Sequence, residues 1–219
     1  MEKDYWLKKW QSQDIAFHQQ NINPDLITYI HKLNLQLGDC ILVPLCGKTR
    51  VMLWLADKGY HIIGVELSSI ACIDFFSEMN IKPEITENHK FMKYRHDNIE
   101  LLCGDIFDLA PDDLPTTHAV YDCKALIALP QVMRKKYVDH LVTCLGNKID
   151  ILLITIESNC KDIGPPFSVT NDEVNSLYDP YFNVQQLQFT PISQIPEHLI
   201  KKGYDEMKES VYLISKIPE

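Results

Sequence analysis

Cys40-Ile41-Leu42-Val43-Pro44-Leu45-Cys46-Gly47-Lys48-Thr49-Arg50, continued through Val51–Tyr60 to His61-Ile62-Ile63-Gly64-Val65-Glu66-Leu67, is the stretch on which the fold turns. A short apolar run, Cys40 to Leu45, is followed by a helical pattern over Arg50 to Lys58 that stops at Gly59. A second apolar run, Ile62 to Leu67, comes next. Strand, helix and strand at this spacing form a βαβ unit, and β-branched residues in short runs on both sides of a helix predict a parallel sheet. Ser68 follows as the N-cap of the next apolar helix, Ser69 to Met79.

The same alternation continues to the C-terminus. Further strands are expected at Ile99–Cys103, Ala119–Cys123, Ile149–Glu157, Val184–Thr190 and Val211–Ser215. Further helices are expected at Gln131–Leu145, where Gly146 follows the last turn, at Thr170–Leu177 and at Pro196–Lys202. Pro191 and Pro196 with only a short helix between the last two strands predict an antiparallel pair at that edge, and so a mixed seven-stranded sheet. Pro83 to His96 and Pro111 to Thr117 read as linkers. Upstream, Asn23-Pro24 supplies an N-cap and first-turn pair for a helix whose Leu26, Ile27, Ile30 and Leu33 recur at helical spacing. Ahead of it Trp6, Trp10 and Phe17 form an aromatic stretch that either caps the core or covers a ligand. The expected fold is therefore α/β: a Rossmann-like three-layer sandwich in one domain over residues 1–219, with residues 1–37 as an N-terminal helical extension or lid.

Length and composition agree. The chain has 219 residues, 46% of them hydrophobic and 23% charged, so disordered and collagen-like classes are excluded. A formal net charge of −9 repels phosphate backbones, which points to a small substrate and away from nucleic acid. No stretch reaches the ~18 apolar residues of a membrane span, and Met1 to Trp10 has no signal-like apolar core, so a cytoplasmic protein is expected; no strand or helix shows a surplus apolar face, so a monomer is expected. The seven cysteines are scattered without a CxxC pair, so thiols and no metal are expected.

Ligands of open α/β sheets bind at the carboxyl ends of the strands, where strand order reverses. Gly47-Lys48-Thr49 lies in such a loop, but a phosphate-binding loop needs a glycine where Leu42 stands, and no GxGxxG is present for a dinucleotide. Glu66 ends the second strand, 66 − 47 = 19 residues beyond Gly47, close to the ~20 expected for an acid that grips a ribose diol. Asp105, in Cys103-Gly104-Asp105-Ile106, either meets an adenine edge or caps the turn that follows. A ribose acid without a phosphate cradle indicates a nucleoside ligand without phosphates, and S-adenosylmethionine is the common one.

These residues also carry a resemblance. Val43-Pro44-Leu45-Cys46-Gly47-Lys48, Ile63-Gly64-Val65-Glu66-Leu67-Ser68, Asp105-Ile106-Phe107-Asp108-Leu109, Gly164-Pro165-Pro166-Phe167 and Trp10 followed by Ala16-Phe17-His18-Gln19 resemble the thiopurine S-methyltransferase family of class I S-adenosylmethionine-dependent methyltransferases. The resemblance implies methyl transfer from S-adenosylmethionine, with S-adenosylhomocysteine as product, to the sulfur of aromatic or heterocyclic thiols. In bacterial relatives it implies a link to selenium and tellurium oxyanion handling, hence metalloid detoxification. It implies Glu66 on the ribose, Ile106 and its neighbour Asp105 on the adenine, Leu45 and Gly47 beside the methionine moiety, Trp10 closing over the donor, and Phe17 and His18 on the acceptor side. The Gly164-Pro165-Pro166 turn, through Pro166, borders the acceptor.

One departure stands out: where the family shows Asp-Arg, this chain has Asp122-Cys123, which puts Cys123 beside the donor in place of a planar five-donor cation. Lys124 is a poor substitute, and His198 or Lys201 is the basic residue of the C-terminal acceptor region. Asp122 is the candidate general base, with a cap or an acceptor hydrogen bond as its other reading. A non-catalytic S-adenosylmethionine-binding protein, or a methyltransferase for another small acceptor, is the alternative function.

Overall fold

The computed structural model describes residues 3–160 and 163–217. Its strands are β1 (Cys40–Pro44), β2 (His61–Glu66), β3 (Glu84–Glu87), β4 (Met92–His96), β5 (Ile99–Cys103), β6 (Ala119–Cys123), β7 (Asp150–Ser158), β8 (Asn183–Pro191) and β9 (Met207–Ser215). The helices are α1 (Lys3–Gln11), α2 (Pro24–Tyr29), α3 (Val51–Asp57), α4 (Ser69–Ser77), α5 (Ala125–Ala128), α6 (Gln131–Leu145), α7 (Asn171–Tyr178) and α8 (Glu197–Ile200). The α/β class holds, but the sheet has nine strands, ordered β3-β4-β5-β2-β1-β6-β7-β9-β8, and not the seven expected. The residues divide into one unit up to Tyr121 and another from Asp122 onward.

In the first unit, β1, β2 and β5 are parallel, with Val43 opposite Gly64 and Glu66 opposite Cys103. β1 also pairs in parallel with the start of β6, Leu42 against Val120. The chain moves outward from β1 to β2 and β5, then returns to β6 on the other side of β1, so strand order reverses at the carboxyl end of β1. That reversal puts the loop Leu45–Arg50 where ligands bind in this architecture. Gly64 is required for packing: a Cβ there would stand 2.5 Å from Leu101 Cδ2 and 2.8 Å from Cys46 Sγ. Ser68 caps α4 as expected, its Oγ accepting from the Ala71 N–H, and Asn23 caps α2 by accepting from the Asp25 N–H at 2.7 Å.

The two added strands fall in the stretch read as a linker. Every residue of β3 is exposed, and in β4 only Tyr94 is buried, so no alternation of apolar residues announces them. Asn88 closes the hairpin by accepting from the N–H groups of Lys90 and Phe91. The turn drives Phe91 onto Gly104, where a Cβ would lie 2.5 Å from Phe91 Cδ1. Tyr94 stacks on Phe76 of α4. The second linker, Pro111 to Thr117, begins instead with a 3-10 turn, Pro111–Asp113.

In the second unit, β9 lies antiparallel between β7 and β8, the mixed edge that the prolines implied. Leu152, Leu153, Ile154, Val211, Tyr212 and Ile214 form its buried centre.

Candidate functional site

The carboxyl ends of β1, β2 and β5 assemble a small polar centre on Glu66. Its side chain is 7% exposed. One carboxylate oxygen accepts from the Gly47 N–H at 2.9 Å, and the other accepts from the Ser68 N–H at 2.7 Å. Burial raises the Glu66 pKa, while the amide donors of Ser68, Gly47 and Leu67 oppose that shift. Three amides thus take three of the carboxylate's roughly four acceptor positions, which leaves it able to accept from one further donor. Glu66 thus locks the loop after β1 to the start of α4 and presents acceptors at the ligand-binding edge.

Gly47 has φ +55°, and a Cβ built on it would meet Trp10 Cζ2 at 3.4 Å. The indole therefore covers the loop directly. Leu45 also takes a positive φ, +49°, in the tight turn out of β1. Trp10 is 2% exposed, the one fully buried residue of α1, whose Tyr5, Trp6 and Leu7 are half-buried. Phe17 stands edge-on to Trp10 at 5.7 Å and to Trp6 at 5.2 Å. The aromatic stretch thus closes over the strand ends of the first unit. At the other end of α1, Lys3 Nζ lies 2.6 Å from Asp105 Oδ2.

Asp105 also accepts from the Phe107 N–H at 3.0 Å and caps the 3-10 turn Ile106–Asp108. Of its two readings from sequence, the cap is present in the structure. Ile106 is buried beside it. His18 is half-buried, and burial first, then the Lys48 ammonium, holds its pKa below the ordinary value.

The second unit carries Asp122, Cys123, Lys124, Pro166 and Lys201. Asp122 is 0% exposed: one oxygen accepts from the Ala125 N–H at 3.1 Å and the other from the Tyr137 hydroxyl at 2.7 Å. A carboxylate bonded in this way receives the first N–H of α5 and anchors α6, the capping role that was one of its readings. Cys123 follows at the partly exposed strand end. Lys124, in the left-handed conformation at φ +71°, pairs with Glu209 at 3.0 Å and so does not stand in for the missing arginine. Pro166 is fixed through its carbonyl, which lies 2.8 Å from the Tyr204 hydroxyl and shares that hydroxyl's one proton with Ile163 O at 2.9 Å. Lys201 is paired with Glu197 on the surface.

Burial pushes the Asp122 carboxyl up to about 6 from an ordinary 3.8. The folded protein therefore holds a proton that the unfolded chain has already lost between those values. This contribution to stability is complete below pH ~4 and is lost as pH rises to about 6, a loss of at most about 3 kcal/mol. Thermal midpoints measured from pH 4 to 7 should show the fall, and Asp122→Asn should flatten it. A parallel fall in the variant would assign the effect elsewhere.

Sequence reasoning did not find Ser68 as a partner of Glu66, Lys3 as a partner of Asp105, or Tyr137 and Tyr204 as anchors in the second unit. Partners so distant in sequence leave no local pattern. Among the described residues no group of His, Cys, Asp and Glu is arranged to hold a metal, and no helix is long and apolar enough to cross a membrane.

Comparison with known proteins gives the family of the chain. The family model of thiopurine S-methyltransferase matches residues 1–217. A thiopurine S-methyltransferase of Marinobacter nauticus is 44% identical over 188 residues, covering 85% of this chain and 86% of the relative. One from Nitrosospira multiformis is 40% identical over 216 residues, 98% of each chain. Among solved structures, an S-adenosylmethionine-dependent methyltransferase of Anabaena variabilis superposes with TM-score 0.69 at 14% identity, covering 98% of this chain and 95% of that one. The magnesium protoporphyrin IX methyltransferase of Synechocystis, solved with bound S-adenosylhomocysteine, gives 0.64 at 10% identity, over 98% and 99%. A family match along nearly the whole chain, on the class I methyltransferase fold, means that the chain belongs to the thiopurine S-methyltransferase family and is a methyltransferase.

Proposed function

We propose that the chain transfers the methyl group of S-adenosylmethionine to the sulfur, or the selenium or tellurium, of a small aromatic or heterocyclic thiol-like acceptor. The observation that carries this reading is the Glu66 carboxylate, buried at the end of β2, tied to the Gly47 amide and roofed by Trp10. These residues fit the donor: the acceptor position left on the carboxylate suits a ribose hydroxyl, and Gly47 takes the turn at positive φ that brings the loop under the indole. Glu66 would hold the ribose, Leu45 and Gly47 would lie along the methionine moiety, and Asp105 and Ile106 would border the adenine. Phe17 and His18 would face the acceptor.

When bound, S-adenosylmethionine supplies a methyl on a positively charged sulfur that departs as a neutral thioether. The protein then needs little acid catalysis. Its work is to hold the nucleophile ~3 to 3.5 Å from the methyl, in line, which accounts for several kcal/mol of barrier reduction. Trp10 and Phe17 exclude water. A thiolate of low pKa needs no base, which agrees with the enclosed Asp122. Burial and the Lys48 ammonium lower the basicity of His18, which favours its neutral imidazole as a hydrogen-bonding group on the acceptor side.

Transfer of labelled methyl from S-adenosylmethionine to 6-mercaptopurine by the purified protein, against a blank without enzyme, tests the reading. Labelled S-methyl product is expected. Transfer to oxygen or nitrogen acceptors, with none to any thiol or selenol, would overturn it.

A further inference from the structure

We propose that Lys48 is a positioning residue that holds the Trp10 indole over Gly47, and that it sets donor affinity through that indole without touching the donor. The inference deepens the donor-site reading and rests on it.

Lys48 belongs to the Gly47-Lys48-Thr49 triplet that resembles a phosphate loop but lacks its first glycine, so its conspicuous ammonium has no assigned work. The structure turns that ammonium inward. Lys48 is 7% exposed, and its Nζ lies 2.6 Å from Glu78 Oε1 and 3.2 Å from Asp74 Oδ2. It also stands 5.9 Å from the centroid of the Trp10 ring. One buried cation thus joins the N-terminal helix, the loop after β1 and the helix after β2.

Each contact has a reason. Asp74 and Glu78 are four residues apart on one helical stretch, a spacing at which like charges repel, and Lys48 lies between them and offsets that repulsion. The anchored ammonium then presents fixed positive charge to the negative face of an indole, the strongest aromatic partner for a cation, where little water competes. The indole contacts Gly47, whose amide is held by Glu66. Displacing the ring would open the loop that the donor is proposed to occupy. Phe17 at the ring edge limits sideways motion but supplies no charge.

Lys48→Met retains the stem and removes the charge. Isothermal titration with S-adenosylmethionine should show affinity about tenfold weaker than in the parent, as expected for losing a desolvated cation–π contact. Lys48→Arg should recover most of it. In a Trp10→Leu background Lys48→Met should add less than about twofold, because the ring through which it acts is gone. Equal losses in both backgrounds, or no loss in the parent, would overturn the proposal. Should Lys48→Met fail to fold, Glu78→Gln, which removes one anchor, should weaken binding in the parent background and not beside Trp10→Leu. The same loss in both would again overturn it. If Glu66→Ala and Trp10→Leu both leave donor affinity intact, the donor-site reading fails; if both weaken it and Lys48→Met does not, the role of Lys48 alone fails.

Discussion

Replacing Glu66 with alanine weakens S-adenosylmethionine binding about a hundredfold, or ~3 kcal/mol, and does so with the fold retained. Two losses add. The ribose hydroxyls lose an ionised acceptor, a hydrogen bond worth roughly 1.5 to 3 kcal/mol. The N–H groups of Gly47 and Ser68 lose the carboxylate that aligns them, so the loop after β1 and the first turn of α4 are no longer fixed to one another. Stability should change less than affinity, because the native protein also sheds the cost of a buried charge, the burial that raises the Glu66 pKa. Glu66→Gln separates the two losses: it keeps one acceptor but turns an NH2 toward the other amide, so an intermediate affinity is expected. Titration calorimetry with donor, alongside thermal unfolding of each variant, measures both. Affinity within threefold of the parent in Glu66→Ala would remove Glu66 from the donor site.

The region that Glu66 organises was also the most legible in the sequence, for a physical reason. Strands buried on both faces must be continuously apolar, and β1, β2, β5, β6 and β7 all appear within a residue or two of the apolar runs that announced them. The helices between them stop at Gly59 and Gly146, both with positive φ, because only glycine takes that conformation at little cost. The β3–β4 hairpin escaped because its first strand buries nothing. It is held by backbone pairing of β4 with β5 and by Phe91 against Gly104 and Tyr94 against Phe76, none of which shows as a run of apolar residues. The N-terminal α1 was visible only as an aromatic cluster, since its polar surface conceals its one buried residue, Trp10.

At the site, the spacing from Gly47 to Glu66 was readable because a strand, a helix and a strand of ordinary length bring those two positions together. What Glu66 bonds to was not readable, nor was the choice between the two readings of Asp105 or of Asp122. Those choices depend on which donor arrives from elsewhere in the chain. Lys3 reaches Asp105 across 105 − 3 = 102 residues, and Tyr137 reaches Asp122 from the interior of a helix. Lys48 is a different case: Leu42 in place of the first glycine already excluded a phosphate loop, but no local pattern showed that its charge meets Asp74, Glu78 and an indole.

Arg134 extends the point to stability and leads to the largest loss expected from a single change. An arginine in the first turn of a helix reads as solvent-facing, yet Arg134 is 1% exposed. Its Nε donates to Leu126 O at 3.1 Å and Leu129 O at 3.0 Å, and one terminal nitrogen donates to Ser168 O at 3.1 Å and to Glu173 at 2.7 Å. One side chain thus ties α5, α6 and the start of α7 within the second unit. Arg134→Met should lower unfolding free energy by about 3 to 5 kcal/mol, since Glu173 keeps a charge in a largely dehydrated position and three carbonyls lose their donor. Arg134→Lys should recover little, because one ammonium cannot reproduce a planar fork with fixed directions. The double variant Arg134→Met with Glu173→Gln should be more stable than Arg134→Met alone, because the stranded charge is gone and only the carbonyls remain unmet. Urea unfolding at constant m-value reads all three. A single-variant loss under ~1 kcal/mol, or a double variant less stable than the single, would show that the guanidinium is not what joins these helices.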